Sequence, residues 1–114
     1  MVHHIADSHV HAYIRVKWAL TEDSPAVKPY DENVWATLPD SRMPVAPSLA
    51  LLEGVHARWV ALLRAMTSAQ FTRTIRHPEY PEGPLPIDRL TQHYGWHCRH
   101  HVAHITALRA RKGW

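Results

Sequence analysis

Two histidines near the carboxy terminus have the spacing of a metal-binding pair. His97 and His101 lie four residues apart in the stretch GWHCRHHVAH. If this stretch is helical, residues four apart project from the same face, about 6 Å apart along the axis. Two imidazoles placed in this way can converge on one divalent metal ion. Neutral imidazole binds zinc, nickel, copper and iron, so the ligand type does not select the metal.

Other histidine pairs in the same stretch also have helical spacing, namely His93/His97, His97/His100 and His100/His104. At about 100° per residue, the apolar stripe of this helix consists of Leu90, Tyr94, Ile105 and Leu108. His97 and His101 lie nearest the centre of that stripe, whereas His100 and His104 lie at its edge. We therefore favour His97 and His101 as ligands. The alternative is that both are core histidines satisfied by hydrogen bonds.

A metal at this pair could support hydrolytic chemistry if a third ligand came from another helix. Three protein ligands leave one position for water, as in catalytic zinc sites, and the metal lowers the pKa of that water to about 7. The resulting hydroxide is a nucleophile at neutral pH. The carboxylates that could act as general base are Asp7, Glu53 and Glu79.

Three further side chains are less favoured as residues of such a site. His56 falls on the apolar stripe of its helix and is interpreted as a packing residue; the alternatives are a fourth ligand or a hydrogen-bond partner of a ligand. His77 lies in a loop, where it could reach the site or cap a turn. Cys98 follows His97 but points about 100° away on a helix, so we interpret it as a small packing residue.

Three helices must position these residues, and the sequence predicts them at about residues 2–20, 48–66 and 87–112. Ser48 is the expected N-cap of the second helix, and no sheet is predicted. Both connections are rich in proline. A connection as long as residues 21–47 is usually functional or partly ordered. We expect it to be irregular and to lie over the mouth of the site.

The first two predicted helices differ in the face they would bury. The second carries an apolar stripe at spacings of three and four: Leu49, Leu52, His56, Trp59, Leu63 and Met66. The first has a polar face at the same spacing: His4, Ser8, His11 and Arg15. Apolar residues flank that face on both sides, with Ile5, Ala12 and Val16 on one side and Ile14 and Trp18 on the other. A polar stripe between apolar walls indicates a polar site inside a helical bundle.

Composition limits the class of protein. The chain has 114 residues, 46% of them hydrophobic and 20% charged, which is typical of one globular domain. Its net charge of +3 is not gathered into a run of Lys or Arg, so nucleic-acid binding is not expected. One cysteine excludes an intrachain disulfide, and no apolar run approaches the length of a membrane span. We predict a cytoplasmic protein with a small-molecule substrate and no membrane partner.

The chain resembles the DinB-like superfamily, and within it the YfiT-type metal-dependent hydrolases of bacteria. The matching segments are, in order, HHIADSHVHAYIR, LTED, SLALLEGVHARWVALL, HPE and YGWHCRHHVAHITALR, and the resemblance covers essentially all 114 residues. It implies an all-α fold, an up-down four-helix bundle, with a divalent metal, zinc or nickel, held by three histidines. Carried over by motif, these ligands are His4, His97 and His101, although His11 shares the face of His4.

Members of this family carry about one more helix before the segment that matches HHIADSH. The resemblance therefore implies a single domain over residues 1–114, with three of the four bundle helices and a truncated amino terminus. An open bundle would expose the apolar strip that the fourth helix covers, which predicts self-association. Family members of this type also tend to form homodimers.

The resemblance implies a metal-dependent hydrolase of a small substrate, with the water bound to the metal as nucleophile. Two alternatives stay open. Some DinB-like relatives move a low-molecular-weight thiol onto an electrophile, so the chain could be a metal-dependent thiol S-transferase. It could also be a non-enzymatic metal-binding bundle that acts in assembly.

Overall fold

The computed structural model describes residues 2–80 and 83–94, and this part of the chain is mainly helical. Its helices are α1 (Val2–Thr21), α2 (Glu32–Trp35), α3 (Ala46–Ala65) and α4, the helical residues 87–94, with short 3-10 turns at Pro39–Arg42 and Gln70–Thr72. The strands are β1 (Thr74–Ile75) and β2 (Leu85–Pro86). The all-α fold class is thereby confirmed, with α1, α3 and α4 in the three predicted positions. Residues 95–114, including His97, Cys98, His100, His101 and His104, lie outside the described residues.

Helix α1 lies at the centre of the described core. Ala12, Val16 and Ala19 are fully buried on one of its faces, because their spacings of four and three place them on one stripe. Small side chains at two of these positions let other elements approach the helix closely. The partners of this stripe come from the segment after α1, from α3, from β1 and from α4: Val27, Trp59, Ile75, Ile87 and Leu90.

A short hairpin ties the end of α1 to the segment that follows it. The Arg73 guanidinium donates hydrogen bonds to the carbonyls of Ala19 (2.7 Å) and Glu22 (2.8 Å), which have no partners within the helix. The Arg76 backbone N–H donates to the Pro25 carbonyl at 2.8 Å, and the Arg76 carbonyl accepts from the Val27 N–H at 2.9 Å. These bonds hold the residues after α1 against the hairpin.

Two local predictions are wrong in detail. The structure contains a small antiparallel sheet, in which Thr74 pairs with Pro86 and Ile75 with Leu85, although no sheet was expected. The second predicted helix, α3, begins at Ala46 and not after Pro47, since proline is well accommodated in a first turn. Ser48 is therefore inside the helix, where its hydroxyl bonds the ring of His3 instead of capping the backbone.

The apolar residues expected to flank the polar face of α1 are not all buried. Ile14 is 38% exposed and Trp18 is 42% exposed, so this predicted wall faces outward in the described structure. On α3, Trp59 is buried as predicted, but Leu49 is 52% exposed and His56 is also exposed. Among residues 2–80 and 83–94, no helix is long and apolar enough to cross a membrane.

Candidate functional site

A pocket of about 670 Å³ lies against the polar face of α1. Three of the predicted polar residues, His4, Ser8 and Arg15, contribute to its wall. The remaining polar lining comes from the segment before α2, from α2, from the loop after β1, and from α4: Tyr30, Glu32, His77, Glu79, Tyr80, Arg89, Gln92, His93 and Tyr94. The prediction of a polar site beside α1 is consistent with this arrangement. We call this cavity the main pocket.

His4 is paired with a carboxylate of α2. Its Nδ1 atom lies 3.3 Å from Oε2 of Glu32, and the two side chains are 28% and 59% exposed. Helix α2 holds Glu32 in place because the Asp31 carboxylate caps it, accepting from the backbone N–H groups of Asn33 (3.1 Å) and Val34 (3.2 Å). The Nδ1 atom of His4 therefore faces a carboxylate, as in histidines that bind a metal through Nε2.

Three hydroxyl groups meet deeper in the pocket. The Ser8 hydroxyl donates to the Tyr94 hydroxyl at 3.3 Å. Burial is the largest of the causes that raise the pKa of Tyr30 to about 12, and the neighbouring Tyr94 and Glu32 also raise it. Tyr30 is therefore protonated at neutral pH and can donate a hydrogen bond but cannot act as a base. The Ser8–Tyr94 hydrogen bond joins α1 to α4, and the buried Leu90 of α4 also lines the main pocket.

Arg15 and His77 line the same side of the pocket. Arg15 is only 7% exposed, and its Nη2 donates to the Lys28 carbonyl at 3.1 Å. Burial lowers the pKa of His77, the positive charge of Arg15 lowers it further, and Glu79 opposes both effects. His77 Nδ1 also accepts a hydrogen bond from the Glu79 backbone N–H at 3.1 Å. The loop histidine thus caps a turn and lines the pocket at the same time.

His11 shares the predicted polar face but lies in a different environment from His4. Its ring stacks on Tyr30, with centroids 4.1 Å apart, and meets Trp35 edge-on at 5.1 Å. Its Nδ1–H donates to the Asp7 carbonyl at 2.7 Å. His11 therefore lines a separate cavity of about 410 Å³ on the outer side of Tyr30. Residues 4 and 11 are nearly two turns apart, and Tyr30 separates their surroundings.

The candidate general bases are also separated by the structure. Glu79 lines the main pocket, whereas Asp7 lines a smaller cavity of about 160 Å³ beside His3 and Glu32. Burial raises the pKa of Asp7, and the negative charge of Asp40 raises it further. Glu53 is exposed on α3 and does not line the main pocket. Of the three, only Glu79 is placed to act on a group in that pocket.

One buried histidine, His9, was not singled out by the sequence pattern. His9 is 6% exposed and meets Trp59 and Tyr94 edge-on, at centroid distances of 5.7 and 6.3 Å. Its Nδ1–H donates to the Ile5 carbonyl at 3.2 Å, and burial lowers its pKa. Its burial could have been predicted from its spacing, because position 9 lies three residues before Ala12 and seven before Val16, on the same buried stripe of α1.

The described residues contain part of the predicted metal site. Among residues 2–80 and 83–94, no three His, Cys, Asp or Glu side chains are grouped so that they could hold one metal ion. His4 is described, whereas His97 and His101 lie outside the described residues. The donor chemistry of His4 fits a divalent metal, because histidines that bind a metal usually have a carboxylate, a carbonyl or a water at the other ring nitrogen.

The chain is similar to proteins of one family. The profile of the DinB superfamily matches residues 1–105. A protein of Geobacillus kaustophilus strain HTA426, named as a candidate metal-dependent hydrolase, is 51% identical over 115 residues, covering 100% of this chain and 64% of the relative. A protein of Oceanobacillus iheyensis with the same kind of name is 48% identical over 114 residues, covering 100% of this chain and 65% of the relative.

A solved structure is also similar. YfiT from Bacillus subtilis, described as a probable metal-dependent hydrolase with an unusual four-helix bundle topology, superposes with a TM-score of 0.91 and is 48% identical. The match covers 99% of this chain and 65% of YfiT. The chain therefore spans slightly less than two thirds of the length of the relatives that it matches.

Proposed function

This chain belongs to the DinB superfamily, and from that premise we propose that it is a metal-dependent hydrolase. We propose that His4, His97 and His101 hold its divalent ion, zinc or nickel, beside the main pocket. The relatives named for metal-dependent hydrolysis match the whole of this chain, which supports the class of reaction. The substrate would be a small molecule that fits the main pocket.

The position of α4 is the observation that carries this proposal. Leu90 and Tyr94 are the first two residues of the sequence stripe that continues through His97 and His101, and both line the main pocket. His4 lines the same pocket from α1. A helix that keeps its period would direct the later residues of this stripe toward the same side as the first two. The sequence pattern and the start of α4 thus favour one common site.

The pocket residues could serve the reaction in distinct ways. A bound divalent ion would supply Lewis acidity, lowering the pKa of a coordinated water to about 7. Glu32, whose Oε2 lies 3.3 Å from His4 Nδ1, could orient the His4 ring. Glu79 could accept a proton from a nucleophile in the pocket. Tyr30 and the Ser8–Tyr94 pair could donate hydrogen bonds to polar groups of the substrate.

Metal analysis of purified protein tests the ligand set. The wild-type chain should contain about one zinc or nickel ion per protomer, and His97→Ala and His101→Ala should each lose it, as should His4→Ala. His100→Ala is the matched control, because it removes an adjacent histidine from the edge of the same stripe. Full metal content in both the His97 and the His101 variants would contradict the proposed site.

An activity assay separates hydrolysis from thiol transfer. The metal-loaded chain should cleave members of a panel of small esters and amides without added thiol. If turnover required a low-molecular-weight thiol and consumed it, hydrolase would be the wrong class and thiol S-transferase the right one. A protein that retained metal but showed neither activity would act as a metal-binding bundle.

We also propose that the chain forms a homodimer. Large apolar side chains are exposed on both long helices, among them Ile14 and Trp18 on α1 and Leu49 and Leu51 on α3. Exposed apolar surface of this kind favours association, because each buried Å² contributes about 25 cal/mol. A second copy of the chain presents the same side chains and could cover them.

A further inference from the structure

We propose that Arg15 binds an oxyanion, a carboxylate or phosphate group, of the ligand that enters the main pocket. The inference deepens the proposed function, and rests on it to the extent that the ligand is the substrate. It names the chemical class of that substrate as an anion.

Arg15 is a buried cation without a carboxylate partner. Arg15 is only 7% exposed, and its Nη2 donates a hydrogen bond to the neutral Lys28 carbonyl. Among the described residues, the ion pair is that of His4 with Glu32, and no carboxylate is paired with Arg15. Buried charges in proteins are usually paired, because an isolated charge loses its hydration without compensation. A pocket-lining guanidinium in this state is suited to an anionic ligand.

The remaining N–H groups of Arg15 have access to open volume. Within the described residues, the buried side-chain nitrogen without an acceptor belongs to Trp59, not to Arg15. The guanidinium N–H groups that do not bond Lys28 are therefore not sealed inside the protein. Arg15 lines the main pocket, and two such groups on one planar guanidinium can hold an oxyanion with paired hydrogen bonds.

Arg15 lines the outer cavity, together with Asp31, as well as the main pocket, but the effect of its charge is found in the main pocket. His77 lines that pocket and not the outer cavity, and the Arg15 charge is one of the causes that lower its pKa. Arg89 adds a second permanent positive charge to the lining. Of the two lining carboxylates, Glu32 faces His4 and Glu79 acts on His77. Among the described residues that line the main pocket, no carboxylate is therefore paired with Arg15.

Titration of the full 114-residue chain with simple anions tests this inference without substrate or metal. The ¹⁵N-labelled wild-type protein, kept in EDTA at constant ionic strength, is titrated with inorganic phosphate and, separately, with acetate. We expect a saturable shift of the Arg15 Nε–H resonance. The anion that binds more tightly identifies the group as phosphate or carboxylate. An Arg15 resonance that responds to neither anion would overturn the proposal.

Three variants make the result specific. Arg15→Gln keeps a polar side chain but loses the charge, and it should bind the anion about tenfold to a hundredfold more weakly. Arg15→Lys keeps the charge without the planar fork and should show an intermediate loss. Arg64→Gln, which removes an exposed arginine of α3 outside the pocket, should bind as the wild type does.

Stability separates a ligand-binding role from a structural one. If Arg15 serves a ligand, the urea midpoint of Arg15→Gln should be unchanged or higher, because an uncompensated buried charge has been removed. Unweakened anion binding by Arg15→Gln would refute the assignment, as would an equal loss in Arg64→Gln. If Arg15→Gln fails to fold, the wild-type titration still decides. Since EDTA is present throughout, failure of the metal site would leave this result unaffected.

Discussion

Removing the Glu32 carboxylate should weaken metal binding at His4 without disturbing the fold. Glu32 Oε2 lies 3.3 Å from His4 Nδ1, which is longer than the usual 2.9–3.0 Å of an N–H···O bond. Partners that orient a metal-ligating histidine typically contribute about 10–100-fold to affinity. Because the Glu32 side chain is 59% exposed, solvent screening places this pair at the low end of that range. We expect Glu32→Ala to weaken zinc binding about tenfold, or roughly 1.4 kcal/mol.

Competition with a chromophoric zinc chelator at pH 7.5 measures this difference directly. Glu53→Ala is the matched control, because it removes an exposed glutamate of α3 that does not line the main pocket. Circular dichroism and urea unfolding should show little change, since an exposed ion pair contributes about 0–1 kcal/mol to stability. Equal zinc affinity of Glu32→Ala and the wild type, with affinity lost in His4→Ala, would show that Glu32 does not orient the ligand.

Three further predictions concern stability and assembly. Ile75→Ala truncates a side chain that is 1% exposed and should lower the free energy of unfolding by about 2–4 kcal/mol in urea titrations, whereas Val34→Ala, at a position that is 55% exposed, should change it little. Burial lowers the pKa of His9, so between the lowered value and about 6.5 the unfolded chain binds more protons than the folded chain. Stability in EDTA should therefore fall as the pH drops from 7.5 to 5.5, and His9→Gln should fall less steeply; an unchanged slope would contradict this assignment. Light scattering of the 114-residue chain should show a dimer at micromolar concentration that Trp18→Glu weakens, and a stable wild-type monomer would rule out the proposed association.

Local periodicity was sufficient to predict α1, α3 and α4, but not the one-turn helix α2, which lies in the 21–47 connection that was expected to be irregular. The positions of α1, α3 and α4 follow from apolar residues recurring at spacings of three and four, and Trp59 and Leu90 are buried as that pattern predicts. The polar face of α1 was also correctly identified, since His4, Ser8 and Arg15 line one pocket. Each of these features depends on residues within about two turns of one another, so the sequence contains the necessary information.

Contacts between distant segments were not predictable in this way. Glu32 meets His4 across 28 positions of the chain, and the hairpin arginine Arg73 caps the end of α1 across more than 50. The two-residue strands are held by pairing with each other and have no periodicity that could reveal them. Only the folded chain brings these partners together.

The sequence by itself determined that the chain is helical, that it belongs to the DinB superfamily and that one face of α1 is polar. It did not determine which residues of that face share a site. His4 and His11 have the same helical phase, but Tyr30, brought back by the segment after α1, lies between their surroundings and stacks on His11. Helical phase gives the direction of a side chain, whereas the packing of a second segment decides what that side chain meets. For the same reason, only the tertiary structure showed that Arg15 is a buried cation in the wall of a pocket without a carboxylate partner among the described residues.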